Sequence, residues 1–74
     1  AEVDFVVQTV QGQIIPIEVK SGPTGRLKSL KLFMQEKKSQ YGIHISQQPL
    51  SQQGNILHLP LYMAHELSRF TGKL

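Results

Sequence analysis

Asp4, Glu18 and Lys20 are the residues of this chain best suited to chemistry. Glu18 and Lys20 lie in Ile14-Ile15-Pro16-Ile17-Glu18-Val19-Lys20-Ser21-Gly22, which is apolar until the charges arrive, and Asp4 lies in the β-branched run Val3-Asp4-Phe5-Val6-Val7. The 74 residues include only five acids, so two carboxylates inside apolar strand-like runs call for an explanation. Two acids and a lysine on one face would make a metal-binding, phosphodiester-cutting site. The carboxylates of Asp4 and Glu18 are hard oxygen ligands for Mg²⁺ or Mn²⁺, and the carbonyl of Val19 is a further candidate ligand. Such a metal would polarise a phosphoryl oxygen and lower the pKa of a bound water. Lys20 would orient that water or neutralise charge developing on the phosphate. The plainer alternative is an ordinary same-face ion pair between Glu18 and Lys20 on a solvated sheet, which is worth little.

Whether the charges meet depends on a hairpin. Residues 3–9 and 13–20 read as two strands, with a turn at Gln11-Gly12. Side chains alternate along a strand, so Glu18 and Lys20 share one face while Ile17 and Val19 take the other. A two-residue turn would pair Val10 with Gln13 and set Asp4 against Val19. A three-residue loop, Val10-Gln11-Gly12, would pair Thr9 with Gln13 and set Asp4 against Glu18. Three-residue hairpins commonly end on a left-handed glycine, and Gly12 stands in that place.

The rest of the chain supplies the support. Pro16 cannot donate to a ladder, which predicts an edge position or a bulge there. Residues 21–25 read as a loop, with Ser21 or Thr24 as a helix cap. Residues 26–40 have helical period, with Leu27, Leu30, Phe33, Met34 and Tyr41 on one side and Leu32 off it. Gly42 is expected as the helix C-terminal cap. Ile43–Ser46 is a third strand, 47–55 a polar surface loop, and Ile56–Leu59 a fourth strand. Pro60 suits the first turn of a helix over 61–70, with Leu67, Phe70 and Leu74 facing inward. The order ββαββα makes an α+β fold, a small mixed sheet of about four strands with helices packed on it.

Other features carry weaker signals. The net charge is +3, and most of the basic excess lies in Arg26, Lys28, Lys31, Lys37 and Lys38. Lys28, Lys31, Gln35 and Lys38 line one helix flank that could follow a nucleic-acid backbone, although a solvated flank is the commoner meaning. His44, His58 and His65 lack tight ligand spacing and read as surface or satisfied core residues. Phe5, Phe33, Tyr41, Tyr62 and Phe70 read as core. Gly22-Pro23-Thr24-Gly25 does not match a phosphate-binding loop. With no cysteine, disulfides, zinc-thiolate sites and thiol nucleophiles are excluded, which fits a cytoplasmic protein. No apolar run approaches the roughly 20 residues of a membrane span. Residues 1–74 form a single domain, and the start at Ala1 reads as a cut from a longer protein.

Glu2-Val3-Asp4-Phe5-Val6-Val7 followed by Pro16-Ile17-Glu18-Val19-Lys20-Ser21-Gly22 resembles the PD-(D/E)XK nuclease superfamily. The nearest likeness is to the uncharacterised C-terminal domain of bacterial and archaeal AAA-type ATPases, where similar Glu-Val-Asp-Phe and Pro-Ile-Glu-Val-Lys strands occur. Leu57-His58-Leu59-Pro60-Leu61-Tyr62-Met63-Ala64 is similar to that family's closing strand and helix. The resemblance implies a restriction-endonuclease-like half-core, with Asp4 and Glu18 as metal ligands and Lys20 as the catalytic lysine. Glu2, with the parity of Asp4, and Ser21 are lesser candidates. Two departures stand out: the helix and strand that usually precede the Asp strand, the helix often supplying an acid, have no counterpart here, and Lys37 occupies the glutamine place of the Gln-x-x-x-Tyr motif that ends at Tyr41.

Two functions follow. One is a nuclease-like domain with a Mg or Mn phosphodiesterase site at Asp4, Glu18 and Lys20. The other is a non-catalytic interaction or nucleic-acid-sensing module of an AAA-type ATPase. The expected partners are nucleic acid, the ATPase domain of the parent chain, through which alone ATP would enter, and a second copy joined at an exposed sheet edge. No membrane partner is expected. The isolated fragment is expected to be inactive.

Overall fold

The computed structural model describes residues 3–20 and 27–66. Within them run β1 (Phe5–Gln8), β2 (Ile14–Val19), α1 (Lys28–Lys37), β3 (Gly42–Ser46), β4 (Ser51–Gln53), β5 (Ile56–Pro60) and a 3₁₀ helix, Leu61–Glu66. The strands form one mixed sheet in the spatial order β1-β2-β3-β5-β4. β1–β2 and β4–β5 pair antiparallel, whereas β2, β3 and β5 run parallel. The α+β class stands, with five described strands where about four were expected.

The first hairpin adopts the three-residue loop. Phe5 pairs with Ile17, Val6 with Pro16, Val7 with Ile15 and Gln8 with Ile14. The Thr9 amide donates to the Gln13 carbonyl at 2.9 Å, and the Gly12 amide donates to the Thr9 carbonyl at 2.9 Å. The Gln13 amide also donates to Thr9 Oγ1 at 3.1 Å. Gly12 closes the loop with φ at +86°, a conformation that costs a residue with a Cβ roughly 1–2 kcal/mol.

Pro16 occupies an interior strand, contrary to the expected edge or bulge. The reason lies in the parity of the amides. Lys20 N–H points at β3, donating to the Ile45 carbonyl, so the missing N–H of Pro16 belongs to that same side. The β2–β3 ladder begins only at Ile17 opposite Ile43, and no ladder bond is lost.

The helix also begins and ends differently from expectation. Its N-cap is Leu27, with no side-chain cap bond, so neither Ser21 nor Thr24 takes that place. Its C-cap is Lys38, left-handed at φ 54°. Gly42 is instead the first residue of β3, held there by close approach: a Cβ would lie 2.6 Å from Met34 Sδ and 3.3 Å from Leu30 Cδ1. The polar stretch 47–55 contains β4, turned back onto β5 by Gly54 (φ +60°) and Asn55. Pro60 ends β5, pairing with Ser46, and does not open the helix. Leu67, Phe70 and Leu74 lie outside the described residues, as do Glu2, Ser21, Thr24 and Arg26.

The two faces of the sheet bury different things. Ile15, Ile17, Ile43, Ile45 and Leu59 form one cluster, with Val7, Val19, Leu57, Met63 and Ala64 packed against it. Residues of opposite parity face α1. There Leu30, Met34 and Ile56 form a smaller cluster with Val3 and Leu27. Leu32 is exposed, consistent with its place off the helix face. The aromatics are not core as expected: Phe5, Tyr41 and Tyr62 are exposed and Phe33 is half-buried. The three exposed ones sit on an outer strand, in a connection and in the 3₁₀ helix, where no described layer covers them, and Phe33 lies on α1.

Gly42→Ala should destabilise the domain by about 1–3 kcal/mol, because the new methyl meets a filled position. Combined with Met34→Ala, its cost should shrink below the sum of the two single changes, since the colliding atoms are gone. Urea denaturation of the four proteins checks this.

Candidate functional site

The hairpin register brings Asp4 level with Glu18. Asp4 lies one residue before β1, and continuing the pairing of Phe5 with Ile17 sets it opposite Glu18. Its carboxylate turns to the backbone: Oδ2 accepts the Val19 amide at 2.7 Å. That amide points to the β1 side, where the ladder has already ended, so the side chain completes it. Lys20 Nζ lies 3.2 Å from Glu18 Oε1. Lys20 is half exposed, whereas Glu18 is a buried charge at 5% exposure. Glu18 Oε2 is buried with no hydrogen-bond partner among the described residues.

Parallel pairing extends this pair into a polar row. Glu18 is level with His44 on β3, and His44 is level with His58 on β5. In-register neighbours share a face, here the face toward α1. His44 is 1% exposed, and its Nδ1 lies 3.1 Å from His58 Nδ1. The rings meet edge to face, at 85°. His58 Nε2 lies 3.3 Å from Gln53 Oε1, on β4. The row therefore runs Lys20, Glu18, His44, His58, Gln53 across four strands.

The proton positions follow once Gln53 Oε1 is taken as the acceptor: His58 Nε2 then carries the proton. Neutral His58 then has a lone pair on Nδ1, and His44 Nδ1 must be the donor between the rings. His44 Nε2 is left with a bare lone pair, buried and without a hydrogen-bond partner among the described residues. Sequence reading missed this row, having treated the histidines as unrelated. The available signal was the repeated form of Ile43-His44-Ile45 and Leu57-His58-Leu59, each with a histidine between apolar neighbours. In adjacent strands that pattern forces the two rings together.

Burial pushes the His44 imidazole below its ordinary pKa of 6.5. His58 lowers it further, Glu18 pulls it upward, and Lys20 adds a smaller lowering effect.

The basic flank is in place but shorter than expected. Lys28, Lys31 and Gln35 are exposed on α1, while Lys38 leaves the helix at its left-handed cap. Lys31 and Gln35 line a cleft of about 380 Å³ between α1 and the β4–β5 hairpin, with Ser39, Gln53 and Asn55. Among the described residues, no three His, Asp, Glu or Cys side chains come close enough to hold a metal. No described helix is long and apolar enough to cross a membrane.

Two measurements test the row. Long-range ¹H–¹⁵N correlation should show His58 as the Nε2–H tautomer and His44 as the Nδ1–H tautomer. Stability should also fall on acidification. With the folded pKa of His44 below 6.5, the unfolded chain binds the more protons in that range, so stability rises with pH and is lost below 6.5. The midpoint of thermal unfolding should drop between about pH 7.5 and pH 5.5, with a shallower slope in His44→Asn.

No curated protein and no solved structure matches this chain. A family model, DUF4143, described as a domain of unknown function, matches residues 1–62. That match spans both hairpins, the helix and the whole polar row, so the chain belongs to the DUF4143 family.

Proposed function

We propose that this chain is a nuclease-like, restriction-endonuclease-type domain whose Asp4, Glu18 and Val19 carbonyl hold Mg²⁺ or Mn²⁺ beside Lys20. The observation that carries the reading is the hairpin register, which sets Asp4 opposite Glu18. It is supported by a buried carboxylate oxygen on Glu18 that no described group satisfies, and by the likeness of Pro16–Gly22 to the PD-(D/E)XK phrase. The donors are chemically suited to the ion, being carboxylate and carbonyl oxygens. A bound divalent ion would supply charge on a phosphoryl oxygen and acidity to a water.

The chain's own groups divide the remaining work. Glu18 offers Oε2 while Oε1 holds Lys20 in position. Lys20, half exposed, can leave that contact to face a phosphate. Asp4 can keep Oδ2 on the Val19 amide and present its other oxygen. Lys28, Lys31, Gln35 and Lys38 would carry the nucleic-acid backbone past the cleft beside α1. The parent protein would be a cytoplasmic AAA-type ATPase with this domain near its C-terminus, and Glu2 and Ser21 would be accessory residues.

One observation favours the second reading, a non-catalytic docking or nucleic-acid-sensing module of such an ATPase. Asp4 and Lys20 already have partners inside the domain, and no described third acid or histidine completes a metal cluster.

Cleavage assays separate the two. The complete protein, supplied with Mn²⁺, should cut DNA or RNA. Asp4→Asn, Glu18→Gln and Lys20→Met should each reduce the rate by roughly 10²–10³, the loss typical of removing one transition-state stabiliser. The asparagine is chosen because it still accepts the Val19 amide. Undiminished cleavage in Glu18→Gln would overturn the nuclease reading, and nucleic-acid binding with neither cleavage nor Mn²⁺ uptake would establish the second.

A further inference from the structure

We infer that His44 Nε2 and Glu18 Oε2 together form a mixed nitrogen–oxygen seat for a divalent transition-metal ion such as Mn²⁺, Co²⁺ or Zn²⁺. This rests on the proposed reading of Glu18 as a metal ligand and adds a ligand on β3 that the nuclease-like pattern does not contain.

Two buried atoms carry the inference. Glu18 Oε2 and His44 Nε2 are both enclosed and both lack a hydrogen-bond partner among the described residues. Each is nine-tenths or more buried as a residue, at 5% and 1% exposure. Their residues are level with each other on adjacent parallel strands, about 4.8 Å apart along the hydrogen-bonding direction, and their side chains rise from the same face. A buried acceptor without a partner forfeits its hydration and gains nothing in return. Two such acceptors on level residues of adjacent strands suit a shared positive or donating group.

The imidazole is already prepared for a cation. With Gln53 Oε1 accepting from His58 Nε2, His58 Nδ1 accepts from His44 Nδ1, which places the His44 proton on Nδ1. The nitrogen that remains is a lone pair held in one orientation by a hydrogen bond on the other side of the ring. That is the usual arrangement around a metal-bound histidine, whose second nitrogen donates to an outer partner. Here the outer partners are His58 and Gln53. Imidazole suits Zn²⁺ and its neighbours such as Co²⁺, whereas carboxylate suits Mn²⁺, so a mixed nitrogen–oxygen pair admits all three and disfavours Ca²⁺. Lys20 sits on the other oxygen of Glu18 and reaches solvent, so its ammonium can withdraw as the ion enters. With two protein donors described, water or substrate oxygens would fill the remaining positions.

The competing occupant is one buried water donating to both lone pairs, and the test separates it from a metal. Mn²⁺ is titrated into the complete protein and its electron spin echo is recorded for ¹⁴N modulation. The expected result is imidazole modulation in the wild type that disappears in His44→Asn. Mn²⁺ affinity should also fall at least about tenfold, the loss seen even for residues that only support a ligand. Mn²⁺ uptake that depends on Glu18 yet shows no imidazole modulation would overturn the inference and leave an oxygen-only metal site. No Mn²⁺ or Co²⁺ uptake sensitive to Glu18→Gln would overturn both the inference and the metal reading beneath it. A second measurement needs no variant: adding Zn²⁺ to the wild type should shift the ¹⁵N resonance of His44 Nε2 and leave that of His58 Nε2 near its starting value. An unmoved His44 resonance would also overturn the inference.

Discussion

The register of the first hairpin is the constraint on which the other arrangements depend. Side chains alternate with a period of two, so a slip by one residue would move every β1 side chain to the other face. Val7 would leave the Ile15–Ile17 cluster, and Asp4 would oppose Val19. The loop that prevents the slip is short and over-determined. Thr9 uses its amide, carbonyl and hydroxyl across it, and Gly12 supplies a left-handed residue at its end. One glycine thus links the packing of the apolar face to the position of a carboxylate on the other. The same register leaves the Val19 amide beyond the last β1 pair, which is why Asp4 can cap it.

A second consequence follows from running β2, β3 and β5 parallel and in step. Residues of equal height line up across the sheet. On one face this gathers Ile15, Ile17, Ile43, Ile45 and Leu59 into a continuous apolar layer. On the other it gathers Glu18, His44 and His58 into a continuous polar line. Parallel sheets are normally apolar on both faces because helices cover both. The polar line under α1 is therefore a departure from what the architecture favours. Proteins depart from local consistency mainly where function requires it.

Much of this was legible in the residues, and the exceptions have physical causes. Gly12 and the alternation around Glu18 pointed to the hairpin, its loop and the level placement of Asp4. The helix core was legible too, since Leu30 and Met34 repeat at four residues. Its ends were not, because Lys38 takes a left-handed conformation usually left to glycine, while Gly42 is required for space and not for φ. β4 was hidden by composition: Ser51, Gln52 and Gln53 are all polar and exposed, so no apolar alternation marks it. Its only mark was the two-residue turn Gly54-Asn55. Pairing of His44 with His58 depends on which strands are neighbours, and spacing along the chain does not encode that. The aromatics were misplaced because hydrophobicity alone does not say whether an outer strand has a covering layer.

Stability and chemical readiness pull against each other along the polar row. A small domain has only about 5–15 kcal/mol of net stability. Each unsatisfied buried acceptor removes about 1–3 kcal/mol of it. Met34, Leu30 and Ile56 pack on the same sheet face beside the row, and Gly42 lets the helix approach closely. Packing that excludes water stabilises the apolar contacts, but it also denies His44 Nε2 and Glu18 Oε2 the solvent that would satisfy them. Replacing the row with apolar residues of similar size would remove that conflict, and the fold offers no structural reason against doing so. The helix that keeps the face dry therefore also keeps solvent from His44 Nε2 and Glu18 Oε2, neither of which has a hydrogen-bond partner among the described residues, so a group able to donate to them would offset that cost.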